Sequence, residues 1–228
     1  MAKSLAYKGG VIVFVVLLIL IIDQIIKIEV KTNMYLHDAY RVTDWFYIYF
    51  IENEGMAYGM TFINKLVLTL FRIFAVIVIA IYLYRQIAKN ASWGYLICVA
   101  MVLAGAAGNI IDCLCYGQVF SASSATELAH FVEWGQGYAP VFYGKVVDMF
   151  YFPIIDTYWP DWMPIWGGEH FIFFSPIFNF ADSCISVGVV ALLLFYRDNL
   201  SRISFSKNKA ENAQDEEETA QEEVNNKE

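Results

Sequence analysis

Residues 11–22 read VIVFVVLLILII, twelve consecutive side chains without a polar atom. Extended to Val11–Val30, the run reaches the roughly 20 mostly apolar residues that cross a hydrocarbon core. Leu66–Tyr84, Trp93–Leu114 and Ile177–Tyr196 have the same length and character. Four such segments in a 228-residue chain leave little sequence from which to build a soluble domain. Composition agrees: 58% of residues are hydrophobic and the mean hydropathy is +0.48. Lys3 and Lys8 precede the first run as they would in a signal peptide, but DQIIKIEV follows where an A-x-A-like cleavage site would stand. That pattern predicts a retained anchor.

The net charge of −8 says little about partners. Residues 207–228 hold eight acids and three lysines, leaving fifteen acids and twelve bases, a net of −3, over residues 1–206. The terminal stretch, rich in Glu, Asn and Gln, is expected to be a disordered acidic tail. No basic patch with interleaved aromatics occurs, which argues against nucleic acid as a ligand. Cys98 and Cys184 lie in apolar runs, Cys113 and Cys115 form C-x-C without a facing pair, and His37, His130 and His170 are scattered. The cysteines read as small apolar residues, and no zinc-protease motif is present.

Lysines and arginines set the expected orientation. Lys3 and Lys8, then Arg85 and Lys89, then Arg197, Arg202, Lys207 and Lys209 flank the runs on one side if the chain crosses four times. Positive residues favour the cytoplasm, so both termini are placed there. Two longer segments then face outward. Within Lys31–Lys65, DWFYIYFIENEGMAYGM predicts one or two strands broken near Asn53 and Gly55. Tyr116–Pro176 carries one Lys or Arg, Lys145, and a tryptophan group, Trp159, Trp162 and Trp166, suited either to the membrane interface or to ordinary loop packing. Ala100, Ala104 and Gly108, four residues apart, allow close helix contact.

Charged groups within apolar spans are costly, so each needs a reason. Asp23 and Lys27 share a helix face at i, i+4. Asn109 and Asp112 stand at i, i+3, as do Asn179 and Asp182. With Pro176 in the first turn of the fourth span, Asp182 lies about 9 Å along it, at the rise of an α-helix. All three pairs, with Asp148 of GKVVDMF, then fall at one outer level. Lys27 can neutralise Asp23, and Arg72 can pair with a carboxylate or snorkel. Asp112, Asp148 and Asp182 still outnumber the cations at hand. Unpaired carboxylates at low dielectric share protons, and such a pair can activate water on an amide while asparagines stabilise the oxyanion. Inter-helix salt bridging, a non-enzymatic scaffold and an ion-coupled transporter using its intramembrane carboxylates are the alternatives; a transporter places such groups nearer the midplane.

DQIIK (Asp23–Lys27), NEGMAYG (Asn53–Gly59), GNIID (Gly108–Asp112), VVDMF (Val146–Phe150) and FNFADSCISVG (Phe178–Gly188) occur in this order. Together they resemble the lipoprotein signal peptidases, the bacterial signal peptidase II family. The resemblance implies a mainly α integral membrane protein with four transmembrane helices, which the apolar runs put at about 11–30, 66–84, 93–114 and 177–196, a small extracytoplasmic β-platform and a half-helix beside the site; the sequence itself adds a long extracytoplasmic loop. Residues 1–206 would form one membrane peptidase domain and 207–228 its cytoplasmic tail. It implies an aspartyl endopeptidase of the bacterial inner membrane that cleaves prolipoproteins before a diacylglyceryl-modified cysteine, near the outer face. Asp148 and Asp182 would be catalytic, and Asn53, Gly55, Asn109, Asp112 and Asn179 would line the site. Asp23 and Lys27 would support it. Lipidated prolipoproteins and membrane lipid would be the partners, with no metal or organic cofactor. Two features depart from the family: Cys113 stands where an arginine usually follows Asp112, leaving Arg72 or Lys145 to substitute, and the segments 113–147 and 151–175 are enlarged. A lid or collar over the substrate entrance, built from the enlarged segments, is one expectation for them.

Overall fold

The computed structural model describes residues 2–54 and 64–199. The chain divides into two compact units, Met1–Gly188 and Val189–Glu228. Gly55 and the acidic tail lie outside the described residues.

Among the described residues, three helices are long and apolar enough to cross a membrane. Helix α1 is Ala2–Asn33, α2 is Lys65–Ala88 and α3 is Trp93–Ile111. Helices α1 and α2 outrun their apolar segments because the flanking residues continue the helix, whereas α3 ends three residues before Leu114. Asn64 caps α2, its side-chain oxygen accepting the Leu66 N–H at 2.9 Å. Helix α3 does not stop cleanly: Asp112–Tyr116 continues it as a π-helical turn, and one α turn, α4 (Gly117–Val119), closes it. Such π turns re-aim side chains and recur at functional sites; this one starts on Asp112. Among the described residues no separate half-helix occurs.

Small residues let α3 sit centrally. Ala100, Ala104, Gly105 and Gly108 are buried. A Cβ on Gly105 would run into the Ala181 carbonyl, and one on Gly108 would lie 2.7 Å from Asp23 Oδ2. The small-residue stripe therefore serves contact with both α1 and the helix that follows Asn179.

The fourth span departs from expectation. Ile177–Phe178 is strand β6, and helix α5 begins only at Phe180, running to Phe195, 16 residues. The backbone of Ile177 and Phe178 is taken up by pairing with Tyr151 and Phe150. Pro176 thus lies before a strand, not in a first helical turn, and Asp182 stands in the first turn of α5 rather than about six residues inside a span. Asn179 and Asp182 form a reciprocal capping box: the Asp182 N–H donates to Asn179 Oδ1 at 2.9 Å and the Asn179 N–H to Asp182 Oδ2 at 3.3 Å.

The expected platform is an antiparallel sheet in the order β1-β2-β3-β6. Strand β1 is Ala39–Thr43, β2 is Phe46–Asn53 and β3 is Val146–Tyr151. One face of the sheet packs Phe50, Val147 and Met149 against Val30, Tyr116 and Phe120. The enlarged segment after Asp112 is built into this core. Phe120 is buried, the Gly144 N–H donates to the Cys113 carbonyl at 3.0 Å, and the Lys145 N–H donates to the Tyr138 hydroxyl at 2.7 Å. Gly137 and Gly144 approach the Gly117 and Asp112 carbonyls too closely for any Cβ. The segment is packed where it meets the sheet and the end of α3, while Leu128, Phe131 and Trp134 between those contacts stay 39%, 60% and 65% exposed. The later insertion is a hairpin of β4 (Ile155–Tyr158) and β5 (His170–Phe173), paired only with each other. Its tryptophans split: Trp159 packs on Phe171 with ring centroids 4.7 Å apart, whereas Trp162 is 79% exposed.

The lysines near the first helix mark one end of the bundle. Lys8 Nζ donates to Asn90 Oδ1 at 2.7 Å and to the Ala91 carbonyl at 2.8 Å, so the start of α1 meets the α2–α3 link as the charge pattern requires. The sheet and the polar residues stand at the opposite end of α1.

Candidate active site

Every predicted site residue within the described chain enters one hydrogen-bonded network. Gly55 cannot be placed, lying outside the described residues.

The first part of the network is ionic. Lys27, fully buried on α1, lies 2.9 Å from Asp23 Oδ2 and 2.8 Å from Asp112 Oδ2. It also donates to Asn109 Oδ1 at 2.8 Å. The helical i, i+4 spacing presents Asp23 and Lys27 together, and the π turn brings Asp112 to the same ammonium. Asp23 Oδ1 accepts the Ala181 N–H at 2.9 Å and Asp112 Oδ2 the Val147 N–H at 3.3 Å. Asp23 thus ties α5 to α1, and Asp112 ties β3 to the end of α3.

The second part is held by amides. Asp148, buried on β3, accepts Asn53 Nδ2 at 3.1 Å and Asn179 Nδ2 at 2.7 Å, on different oxygens. Asp182 accepts Asn109 Nδ2 at 2.7 Å on Oδ1 and the Asn179 N–H on Oδ2. Asn179 also donates to Asn109 Oδ1 at 3.1 Å, closing the circuit with Lys27. Among the described residues, neither Asp148 nor Asp182 has a cation in salt-bridge range, whereas Asp112 shares one with Asp23. Of the three carboxylates in excess by sequence, Lys27 removes Asp112.

This environment sets the protonation of Asp148. Burial first, and then the neighbouring Asp182 carboxylate, push its carboxyl up to about 7, against the pull of the Asn53 and Asn179 amides. A group titrating there can hold a proton at neutral pH and release it in a reaction.

Four neighbouring residues, Gln24, Tyr116, Lys31 and Glu52, were not singled out by sequence. Gln24 donates to Asp112 Oδ1 at 3.0 Å and accepts from the Tyr116 hydroxyl at 3.2 Å. Lys31 Nζ lies 2.5 Å from Glu52 Oε1. The signal for Lys31 was its spacing, one further helical turn on the face of Asp23 and Lys27. Gln24 sits between them within DQIIK without a periodicity of its own. As for a substitute for the missing arginine, Arg72 Nη1 approaches Cys113 Sγ at 3.9 Å, while Lys145 faces Glu52 and Glu54 at 3.7 and 3.8 Å.

Residues 15–197 match the family described as signal peptidase (SPase) II. A lipoprotein signal peptidase of Porphyromonas gingivalis is 46% identical over 196 residues, covering 85% of this chain and 86% of that protein. One from Amoebophilus asiaticus is 32% identical, covering 82% and 78%. Among solved structures, a bacterial membrane enzyme determined by the in meso method at 2.3 Å resolution shares the fold. Its TM-score is 0.54 at 23% identity, with 85% of this chain and 91% of that one covered.

Proposed function

The chain belongs to the signal peptidase II family, and from that premise we propose how its own residues carry out the family's reaction. It is a protease and a multi-pass protein of the bacterial inner membrane, and it removes signal peptides from prolipoproteins. Its catalysis is that of an aspartyl dyad, Asp148 and Asp182, cutting just before a diacylglyceryl-modified cysteine. The carrying observation is Asn179, which donates its side-chain amide to Asp148 and its backbone N–H to Asp182, tying two carboxylates that have no cation among the described residues.

In this mechanism the pair holds one proton. Asp148, raised to about 7, carries it. Asp182 takes a proton from water as the water oxygen attacks the scissile carbonyl carbon. Asp148 gives its proton to the carbonyl oxygen, forming a gem-diol. As the C–N bond breaks, Asp182 protonates the departing nitrogen and Asp148 recovers a proton from a gem-diol hydroxyl. The products are the signal peptide's carboxyl group and the free amine of the lipidated cysteine, with the dyad restored. Asn53, Asn109 and Asn179 orient the carboxylates, and Asp23, Lys27 and Asp112 hold the helices. The chemistry asks for no metal or organic cofactor.

We place α5 as the fourth span. Its 16 residues cover about 24 Å, so its N-terminal turn with Asp182 lies at the outer interface. Both termini are then cytoplasmic, residues 1–206 act as one peptidase domain, and 207–228 form the tail. The substrate's acyl chains stay in lipid while the scissile bond enters from outside.

The test is a gel-shift assay on a diacylglyceryl prolipoprotein. Asp148→Asn and Asp182→Asn should each insert normally and lose about four orders of magnitude in turnover, the upper end of general acid–base catalysis. Near-normal turnover in either variant removes that residue from the dyad. The transporter alternative gains no support from the relatives found; proton or solute flux in liposomes without cleavage would revive it.

A further inference from the structure

The face of the sheet that packs against Val30, Tyr116 and Phe120 is apolar, with one exception. Phe50, Val147 and Met149 are fully buried there. Glu52, directly opposite Val147 in the ladder, projects the same way because side chains alternate along a strand. Its side chain is 3% exposed. Lys31, also fully buried, meets it at 2.5 Å, and the Ser123 hydroxyl donates to the same oxygen at 2.7 Å. The ammonium also donates to Ser123 Oγ at 2.8 Å and lies over the Tyr138 and Phe120 rings, 5.0 and 5.4 Å from their centroids. Three elements converge on this pair: α1, β2 and the enlarged segment after Asp112.

A buried ion pair is a poor way to gain stability, since desolvation of both groups offsets most of their attraction. Its best-attested use is to fix a register. Strand β2 needs such fixing. Its pairing with β3 shifts between Ile48 and Ile51, so the register before that irregularity does not dictate the one after it. Beyond it lie the residues that matter: Ile51 opposite Asp148, then Glu52, then Asn53, which shares the Asp148 face and donates to it. A one-residue slip reverses every side chain. Asn53 would then turn into the core, and Glu52 would place a third carboxylate beside Asp148 and Asp182.

We infer that Lys31 and Glu52, with Ser123, form a register pin whose function is to hold Asn53 against Asp148. This rests on the dyad reading above. Lys31 and Glu52 are positioning residues, acting through Asn53. The enlarged segment thereby serves the reaction from behind the sheet, as the wall that supplies Ser123 and the two rings.

The test uses the full-length protein in lipid, with Glu52→Gln, the paired Lys31→Met/Glu52→Leu, Asn53→Ala, and Asp148→Asn as control. Glu52→Gln should lower kcat about tenfold with KM nearly unchanged, because Asn53 contacts the dyad and not the bound acyl chains. Its alkaline limb should move to higher pH, as in Asn53→Ala. The groups facing Asp148 are Asp182 from α5, Lys27 from α1, Asn53 from β2 and Asn179, and losing the Asn53 donor favours the protonated form. If Glu52→Gln fails to fold, the paired variant decides, since an apolar pair leaves no unpaired buried charge. It should melt close to wild type and show the same fall in kcat and the same alkaline shift. A folded variant with wild-type kcat and wild-type limb overturns the pin. An active Asp148→Asn control overturns the dyad instead, so the two failures are told apart.

Discussion

Asp23 and Asp112 meet a lysine, whereas Asp148 and Asp182 meet amides. The two groups are neighbours, joined through Asn109, which accepts from Lys27 and donates to Asp182. Both are buried polar clusters at the same end of the bundle. They differ in what burial does to charge. A lysine between two carboxylates pairs with both, and the result is a strut linking α1, α3, α5 and β3. Amides satisfy hydrogen bonds without cancelling charge, so the second pair must keep a proton to remain buried. In this membrane protein, the kind of partner given to a carboxylate separates scaffold from chemistry.

Breaking the strut should cost the most. Lys27→Met leaves Asp23 and Asp112 facing each other without their cation and should destabilise the protein by about 3–5 kcal/mol, the range for removing one member of a buried pair. Thermal unfolding in detergent or lipid measures this. Adding Asp112→Asn to Lys27→Met should return part of the loss. If Lys27→Met melts like wild type, the ionic cluster is not a strut and the contrast collapses.

Removing the amide that ties the dyad should cost less in folding and more in rate. Asn179→Ala takes one hydrogen bond from Asp148, one from Asn109 and the side-chain cap of α5. Loss of the cap should cost about 1 kcal/mol of stability. The catalytic loss should be about 1.5–3 kcal/mol, the range for a hydrogen bond to a charged group, or roughly 10- to 150-fold in kcat/KM. A drop in melting temperature with unchanged kcat/KM would assign Asn179 to the helix cap alone.

The smallest effect tests the proton. Asp148 is raised to about 7, so its protonated form falls away as pH rises through that region, and the rate should fall with it. Asn53 donates to the carboxylate and favours its ionised form. Asn53→Ala should therefore move the alkaline limb upward and lower the rate about tenfold on the acidic side. A limb that stays in place, or moves down, would assign the proton to another group.

Much of this was legible in the chain itself. Run length and composition dictated membrane spans because lipid accepts no unpaired backbone. Helical periodicity put Asp23 and Lys27 on one face, and the i, i+3 spacing of Asn109 with Asp112 and Asn179 with Asp182 named four members of the network. The ordered motifs identified the family. One or two strands were expected within DWFYIYFIENEGMAYGM; β2 lies inside it, whereas β1 precedes it. Elsewhere local pattern was outweighed. Ile177–Phe178 is as apolar as the helix after it, and only pairing with β3 turns it into a strand and starts α5 at Phe180. The partner of Asp112 was equally out of reach, since Lys27 is as remote from it in sequence as it is close to Asp23.

The sequence by itself determined that this chain enters a membrane, which residues carry buried charge there, and which family it belongs to. Those follow from composition, spacing and order along the chain, all local or cumulative properties. Tertiary structure decided how the charges are shared: which carboxylates Lys27 neutralises, that Asn179 serves both Asp148 and Asp182, and that Glu52 turns inward to a buried Lys31. Each depends on side chains that packing brings within about 3 Å, where the strength of an ionic or hydrogen-bonded contact is set.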